Sequence, residues 1–393
     1  METVRKKGIS MLYFDHCAST PPHEDVVRTM MEVMTKHYAN PSSLHGGGIA
    51  AARLLEKARD QVASLMKTEQ GRWIFTSGGT ESNNLAIKGV AKALQSRGKH
   101  IITSSIEHAS VYEVVSQLKS EGFEVTELPV NRQGHVQLED VKAALRDDTI
   151  LVSIMHVNNE LGTIQPIAEI GRLLQNYPKL KFHVDAVQSL GKLPIDIEGW
   201  GIDLLSGSAH KLRGPRGVGF LYVRNGLQLA PVQAGGSQEF SLRAGTENIA
   251  AIVASSKALR LAITSKADRA AHAEELAAHL KAGIAKLPEL KLNGAAPQSP
   301  FIVHFSYPGM KPEVVIHMLE QQGILASTRS ACSSKDDKPS RVLLAIGATH
   351  GEASGGIRIS FGEEHTIKDV DKLLSALKHI IQSLKHLERG SKH

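Results

Sequence analysis

Lys211 closes the stretch Leu204-Leu205-Ser206-Gly207-Ser208-Ala209-His210-Lys211, which passes from an apolar run into a turn of small hydroxyl and glycine residues. A lysine in such a turn is partly stripped of water. Desolvation and nearby cations lower an amine's pKa, the condition for forming a Schiff base with an aldehyde. Taken alone, the residue also fits a solvated loop lysine. Asp185 follows Lys181-Phe182-His183-Val184, with Gln188 three residues on. A carboxylate there can keep a pyridine nitrogen protonated so that the ring draws electrons, and it can equally cap a helix. The run Trp73-Ile74-Phe75-Thr76 leads into Ser77-Gly78-Gly79-Thr80-Glu81-Ser82-Asn83 and then a helical pattern. Glycines admit close approach by a ligand, and a helix N-terminus favours a phosphate; an ordinary strand-to-helix turn is the plainer reading. His108, in Ile106-Glu107-His108-Ala109-Ser110, is placed to stack on a ring or to serve structure alone. All four segments follow apolar runs, and in open α/β sheets ligands gather where strands end along one edge.

A second kind of chemistry is offered by Cys332. It sits in Thr328 to Lys338, where serines, lysines and aspartates replace apolar residues, so the segment reads as an exposed loop and not as core. Free cysteine is ordinarily a small buried hydrophobe. In this company, with Arg329 and Lys335 nearby to favour the thiolate, it reads instead as a nucleophile. Cys17 is assigned to structure. The two cysteines lie far apart without C-x-x-C spacing, which speaks against a disulfide framework or a zinc site and fits a reducing cytoplasm. None of the 19 histidines falls in an H-E-x-x-H pattern, so no metal is expected.

These residues need a scaffold. Short apolar runs at Trp73–Phe75, His100–Ile102, Ile150–Ile154, Lys181–Val184, Leu204–Leu205 and Gly219–Val223 alternate with helical patterns at Ile49–Met66, Ser82–Leu94, Val111–Ser120 and Ile167–Gln175. That alternation predicts an α/β region with a mostly parallel sheet. An Ala- and Leu-rich stretch from Glu247 to Leu287, broken near Ser265, Lys266 and Ala267, bridges to a smaller α+β part. There Phe301–Tyr307 and Gly356–Phe361 read as strands and Pro312–Gln322 as a helix, while Thr366 and Asp369 resemble a capping box before a last amphipathic helix. The expected division is 14–264 for the large α/β domain, and 265–393 with 1–13 for the small one carrying the Cys332 loop.

Length and composition agree with this plan. A chain of 393 residues exceeds one ordinary core, and 41% hydrophobic with 22% charged residues is average for a globular protein. The formal charge of +6 comes from scattered Lys and Arg, so direct nucleic-acid binding is not indicated, whereas an acidic protein partner is compatible. No run resembles a signal peptide or a membrane span, and a soluble cytoplasmic protein is expected.

As a set, the motifs resemble the cysteine desulfurases of the NifS/IscS type, among the fold-type I pyridoxal-phosphate (PLP) enzymes of the aspartate aminotransferase-like fold. The resemblance is carried in order by Asn40-Pro41-Ser42-Ser43-Leu44-His45, Thr76 to Asn84, Glu107-His108, and His156-Val157-Asn158-Asn159-Glu160-Leu161-Gly162. It continues through Val184 to Gln188, Ser208 to Gly219, Arg243-Ala244-Gly245-Thr246-Glu247-Asn248 and Ser330-Ala331-Cys332-Ser333-Ser334. It implies that Lys211 carries PLP as a Schiff base, His108 stacks on its ring, and Asp185 pairs with the ring nitrogen. Asn159 and Gln188 then lie beside the ring, while Gly79, Thr80, Ser208 and His210 cup the phosphate. Thr246 reaches the phosphate of a neighbouring subunit, which implies a homodimer. Arg358 and Asn159 hold the substrate carboxylate, a task suited to a planar two-donor fork.

The implied reaction takes sulfur from L-cysteine, giving L-alanine and a Cys332 persulfide. The sulfur passes to an acceptor, an iron–sulfur scaffold or a tRNA-thiolation enzyme, and Cys332 is a possible transient iron–sulfur ligand. A selenocysteine lyase, another fold-type I aminotransferase and a non-catalytic sulfur-carrier scaffold are the competing readings. Two departures concern partner choice and loop behaviour: Arg329 stands where relatives commonly have glycine, and Phe240-Ser241 replaces a basic residue and a glycine.

Overall fold

The computed structural model describes residues 5–6, 9–328 and 338–390, with side chains from 11 to 328 and 338 to 385. Cys332 and its neighbours lie outside the described residues.

A seven-stranded sheet forms the centre, in the spatial order Gly71–Thr76, Gly219–Arg224, Leu204–Ser208, Lys181–Asp185, Thr149–Met155, His100–Ser104, Glu124–Leu128. Gly219–Arg224 runs antiparallel to both neighbours and the other pairings are parallel. The strands 100–104, 149–155 and 204–208 are buried along their whole length, as expected of a sheet covered by helices on both faces. One face packs Trp73, Phe75, Phe182, Phe220 and Tyr222 with Leu55 and Val62 of the helix Gly46–Met66. The other packs Ile74, Ile101, Leu151 and Leu221 against the helices Gly79–Leu94 and Ala109–Ser120.

The mostly parallel sheet is therefore present, and the differences from the sequence reading are instructive. The edge strand Glu124–Leu128 escaped the apolar-run test because four of its five residues are partly or fully exposed. The helices Glu24–Lys36 and Leu138–Ala144 were likewise not anticipated. Two helices start three residues early: Gly46 follows a His45 side chain that accepts from Gly48 N–H, and Gly79 replaces Ser82 as a first residue. The second shift brings a helix N-terminus to the sheet edge.

The Ala- and Leu-rich stretch is two helices, Ile249–Thr264 and Lys266–Ile284, joined at Ser265. The first packs on Glu24–Lys36 and Gly46–Met66; the second packs on the last helix, Ile367–Gly390. A separate apolar cluster joins Phe14, Leu280, Phe305, Ile357, Ile359, Leu373 and Ile380 around an antiparallel sheet of Lys291–Asn293, Ile302–Ser306 and Gly356–Ser360. At the last helix only the acidic half of the capping box forms: Asp369 Oδ2 accepts from Thr366 N and Oγ1, while Asp369 N bonds to the Thr366 carbonyl.

One buried ion pair ties the strand Gly71–Thr76 to the segment before Thr246. Arg59 Nη1 and Nη2 bond Glu239 at 2.8 and 2.9 Å, and Glu239 Oε2 also accepts from Phe75 N at 2.9 Å. Glu239, Phe240 and Ser241 all adopt left-handed backbone, φ 46°, 59° and 61°, a conformation that costs a non-glycine residue energy unless its surroundings enforce it. Phe240 is held over Arg59 and Arg72 at 5.0 and 5.1 Å. Glu239→Ala would leave the buried Arg59 with only the exposed Glu56 carboxylate, 3.5 Å from its Nε. A loss of about 3–5 kcal/mol in unfolding free energy is expected by denaturant titration, and a change within about 0.5 kcal/mol would show the pair to be dispensable.

Candidate active site

Five strands end on the same edge of the sheet, and the residue types there follow from the need for tight turns. Thr76 leads to Gly79 and Thr80, Ser104 to His108, Met155 to Asn159, the strand 181–185 ends at Asp185, and Ser208 opens the turn to Lys211. A cavity of about 170 Å³ lies over these ends. Its lining includes Lys211, Asp185, His108, Gln188, Asn159 and Arg358. Gly79, Thr80, Ser208 and His210 line it as well. Of the residues expected at the site and described, Thr246 alone is absent from the lining; it is exposed just before the helix Ile249–Thr264.

Lys211 lies in the short 3-10 turn Ala209–Lys211, and its Nζ donates to the carbonyls of Cys17 and of Ala18, the latter at 2.8 Å. Burial pushes its pKa down to about 8, with the Arg358 and Lys192 cations acting in the same direction. Cys17 packs with Val157, Phe301 and Ile302, as suits a structural thiol. Its carbonyl, however, accepts from both Lys211 and Gln188 Nε2, the latter at 3.1 Å.

Asp185 is positioned by its own turn and by a neighbouring helix. Val187 N donates to Oδ1 at 2.9 Å and Asn83 Nδ2 to Oδ2 at 2.8 Å. Asn83 also donates to Ser110 Oγ at 2.8 Å, joining the glycine turn to the segment that carries His108. His108 caps its helix, with Nδ1 accepting from Ser110 N at 3.1 Å, which places the proton of the neutral ring on Nε2. Burial lowers its pKa, as burial and then Lys211 lower that of His210 to about 4.

Arg358 stands on the strand Gly356–Ser360 and faces inward. It is 1% exposed, donating from Nη1 to the Asn159 carbonyl and from Nη2 to Asp15 Oδ1, both at 2.8 Å, while buried Nε has no partner among the described residues. Sequence reasoning missed Asp15 and the role of Asn83. Asn83 stands one helical turn beyond Gly79 inside a motif already singled out, so its position was a usable signal; Asp15 carried none. Glu107, also buried, is pushed up to about 8 by burial, with Ser104 Oγ and Met155 N bonded to its Oε1 at 2.5 and 2.9 Å.

The cavity fits a flat, anionic aromatic group. A Cβ at Gly79 would meet Val187 Cγ2 at 2.6 Å, so only glycine keeps that wall open without a shift. Gln188 Oε1 and Ser208 Oγ are buried without partners among the described residues, and both belong to lining residues. Such groups are costly unless a ligand or water satisfies them.

The family model for Aminotransferase class-V matches residues 12–373. A "NifS/IcsS protein homolog" of Lactobacillus delbrueckii is 47% identical, covering 95% of this chain and 97% of the relative. A "Cysteine desulfurase IscS" of Dictyoglomus turgidum is 44% identical, with 95% of each covered. Among solved structures, a "NIFS-LIKE PROTEIN" superposes with a TM-score of 0.88 at 36% identity, covering 95% of this chain and 99% of that one. A structure titled "SspA in complex with cysteine" gives 0.76 at 35%, covering 89% and 98%.

An amine titrating near 8 is far more nucleophilic at neutral pH than an ordinary lysine. In protein freed of small molecules, reductive methylation of Lys211 followed by mass spectrometry should be half-maximal near pH 8, and Arg358→Met should move that midpoint upward by removing a neighbouring cation. A midpoint near the ordinary 10.5 would contradict the buried environment.

Proposed function

The chain belongs to the class-V aminotransferase family and to its NifS/IscS-type cysteine desulfurases, and from that premise we propose that the cavity binds pyridoxal phosphate and that Cys332 receives the sulfur. The observation that carries the reading is Lys211, an amine with depressed pKa, lining one cavity with Asp185. In this reading Lys211 holds the aldehyde, Asp185 the ring nitrogen and His108 the ring face. Asn159 and Gln188 lie along the ring, and Gly79, Thr80, Ser208 and His210 take the phosphate. The unpartnered Gln188 Oε1 and Ser208 Oγ support that assignment.

Bound pyridoxal phosphate supplies an electron sink that stabilises negative charge at the substrate Cα. The rest is done by side chains of the chain. Arg358 binds the substrate carboxylate with N–H groups left over from Asn159 and Asp15, Nε–H among them. Lys211 Nζ, whose lowered pKa lets it give up its proton more readily than an ordinary lysine, moves the Cα proton, and His108 presents Nε2–H. Cys332 thiolate attacks the substrate sulfur: an S–S bond forms as the C–S bond breaks, and the carbon skeleton leaves as alanine once protonated. The persulfide then passes its sulfur to an acceptor protein, an iron–sulfur scaffold or a tRNA-thiolation enzyme.

Two further elements belong to the proposal. The division at Ser265 separates a cofactor-holding part from the part that brings Arg358. The active unit is a homodimer in which Thr246 completes the phosphate site of the other subunit. Exposure of Tyr38 (85%), Leu44 (95%) and Phe240 (45%), together with Thr246, supports such a contact. No helix among the described residues is long and apolar enough to cross a membrane, and a cytoplasmic location accords with the reaction.

Borohydride should fix pyridoxal phosphate to Lys211, read by peptide mapping; label on another lysine would remove the basis of the assignment. Cys332→Ala should keep cofactor binding and the colour change on adding cysteine, yet lose persulfide and most sulfide release. Normal turnover by that variant would exclude Cys332 as acceptor. Arg358→Lys keeps the charge but loses the planar fork, so kcat/KM for cysteine should fall by about ten- to hundredfold with cofactor affinity unchanged. Full kcat/KM, or joint loss of cofactor and activity, would remove the carboxylate role.

A further inference from the structure

Behind the active-site lysine lies a second, much smaller cavity, lined by His16, Thr20, Lys192, Arg213, Arg269 and Glu363 among others. Its charges do not balance. Glu363 is shared between two guanidinium groups, Arg213 Nη1 at 2.9 Å and Arg269 Nε at 2.7 Å. Glu364 is taken by His16 at 2.7 Å. Lys192 is 4% exposed, and its ammonium has no carboxylate or hydrogen-bond partner among the described residues. Its Nζ lies 5.7 Å from the centre of the Phe301 ring, and Arg269 crowds the same ring at 5.8 Å. Three basic side chains therefore face two carboxylates, and the one without a carboxylate is the most buried, with its pKa lowered by that burial. An isolated buried ammonium is costly unless something pairs with it.

We propose that this cavity is a binding site for one small monovalent anion of halide size, held by Lys192 and Arg269 beside Phe301. The size follows from the space, about 20 Å³, enough for a single water or a monatomic anion and too little for sulfate or a carboxylate-bearing metabolite. The sign follows from the unpartnered Lys192 amine beside the Arg269 guanidinium, since an anion there would hold the amine in its protonated form against the lowering effect of burial. A cation is disfavoured even though His16, Glu364 and His365 bring candidate ligand atoms within 4.8 Å of one another. His365 Nδ1 accepts from Gly362 N at 2.9 Å, so the neutral ring carries its proton on Nε2 and offers a donor there instead of a lone pair. A metal would also have to enter beside Lys192, Arg213 and Arg269. The site reaches the chemistry through charge: Lys192 is one of the cations that depress the pKa of Lys211 and of His210, and an anion upon it screens that influence.

Thermal unfolding of the full-length holoprotein in sodium gluconate, with bromide replacing gluconate at constant ionic strength, tests the site. The midpoint should rise saturably by roughly 2–4 °C, and Lys192→Met should abolish the saturable part. Crystals grown in gluconate and soaked in bromide should show an anomalous peak inside this cavity. A midpoint indifferent to halide, a Lys192→Met protein that responds like the parent, or a cavity holding only water would each overturn the proposal. If Lys192→Met does not fold, the bromide peak decides alone.

Discussion

Lys211 and Arg358 carry basic groups into surroundings largely shielded from water, and the rest of the site depends on how that cost is met. The answer is a single strap, residues 15–20, which turns at His16–Ala18 beside the strand ends. Its Asp15 carboxylate pairs with Arg358, and the carbonyls of Cys17 and Ala18 take the Lys211 amine. Thr20 donates to the His210 carbonyl from both N and Oγ1. The strap is anchored at the other side through Cys17 N to Ser360 Oγ and the bridge between Asp15 and Ser360. Carbonyl dipoles stabilise an ammonium less than a carboxylate does. Lys211 is thus held in place while its pKa stays low, whereas Arg358, with a true counter-ion, remains charged.

That difference accords with the labour proposed for the two basic groups. An amine that must trade its proton with substrate gains from dipoles alone, because a carboxylate partner would restore its ordinary pKa. A guanidinium that must recognise a carboxylate gains from permanent charge and a fixed plane. Both depend on the strand Gly356–Ser360, which bears Arg358 and shares Ser360 with the strap. The strand thus links the Arg358 guanidinium to the backbone that holds the Lys211 amine. The same economy explains Asn83, a neutral donor that fixes Asp185 without adding a cation near its carboxylate.

Much of the fold was legible because its signals are local. A buried parallel strand is a short apolar run and its ligand-bearing end is a turn of glycine, serine or aspartate, so Asp185, His108, Lys211 and the Gly79 turn stood out in the linear chain. The break at Ser265 and the last amphipathic helix were visible for the same reason. The edge strand Glu124–Leu128 was not: half-exposed and charged, it is a strand because His100–Ser104 pairs with it.

The sequence by itself determined six of the sheet's seven strands, the order of their chemistry and the family to which the residues belong, since each rests on side chains a few positions apart. Tertiary structure alone decided which charges meet. Asp15 and Arg358 stand 343 residues apart, Cys17 and Lys211 are separated by 194, and Lys192 finds no carboxylate partner among the described residues. No periodicity encodes such pairings. They arise when separate elements pack and exclude water, and the strength of a charge interaction is set by that exclusion as much as by the residues that carry it.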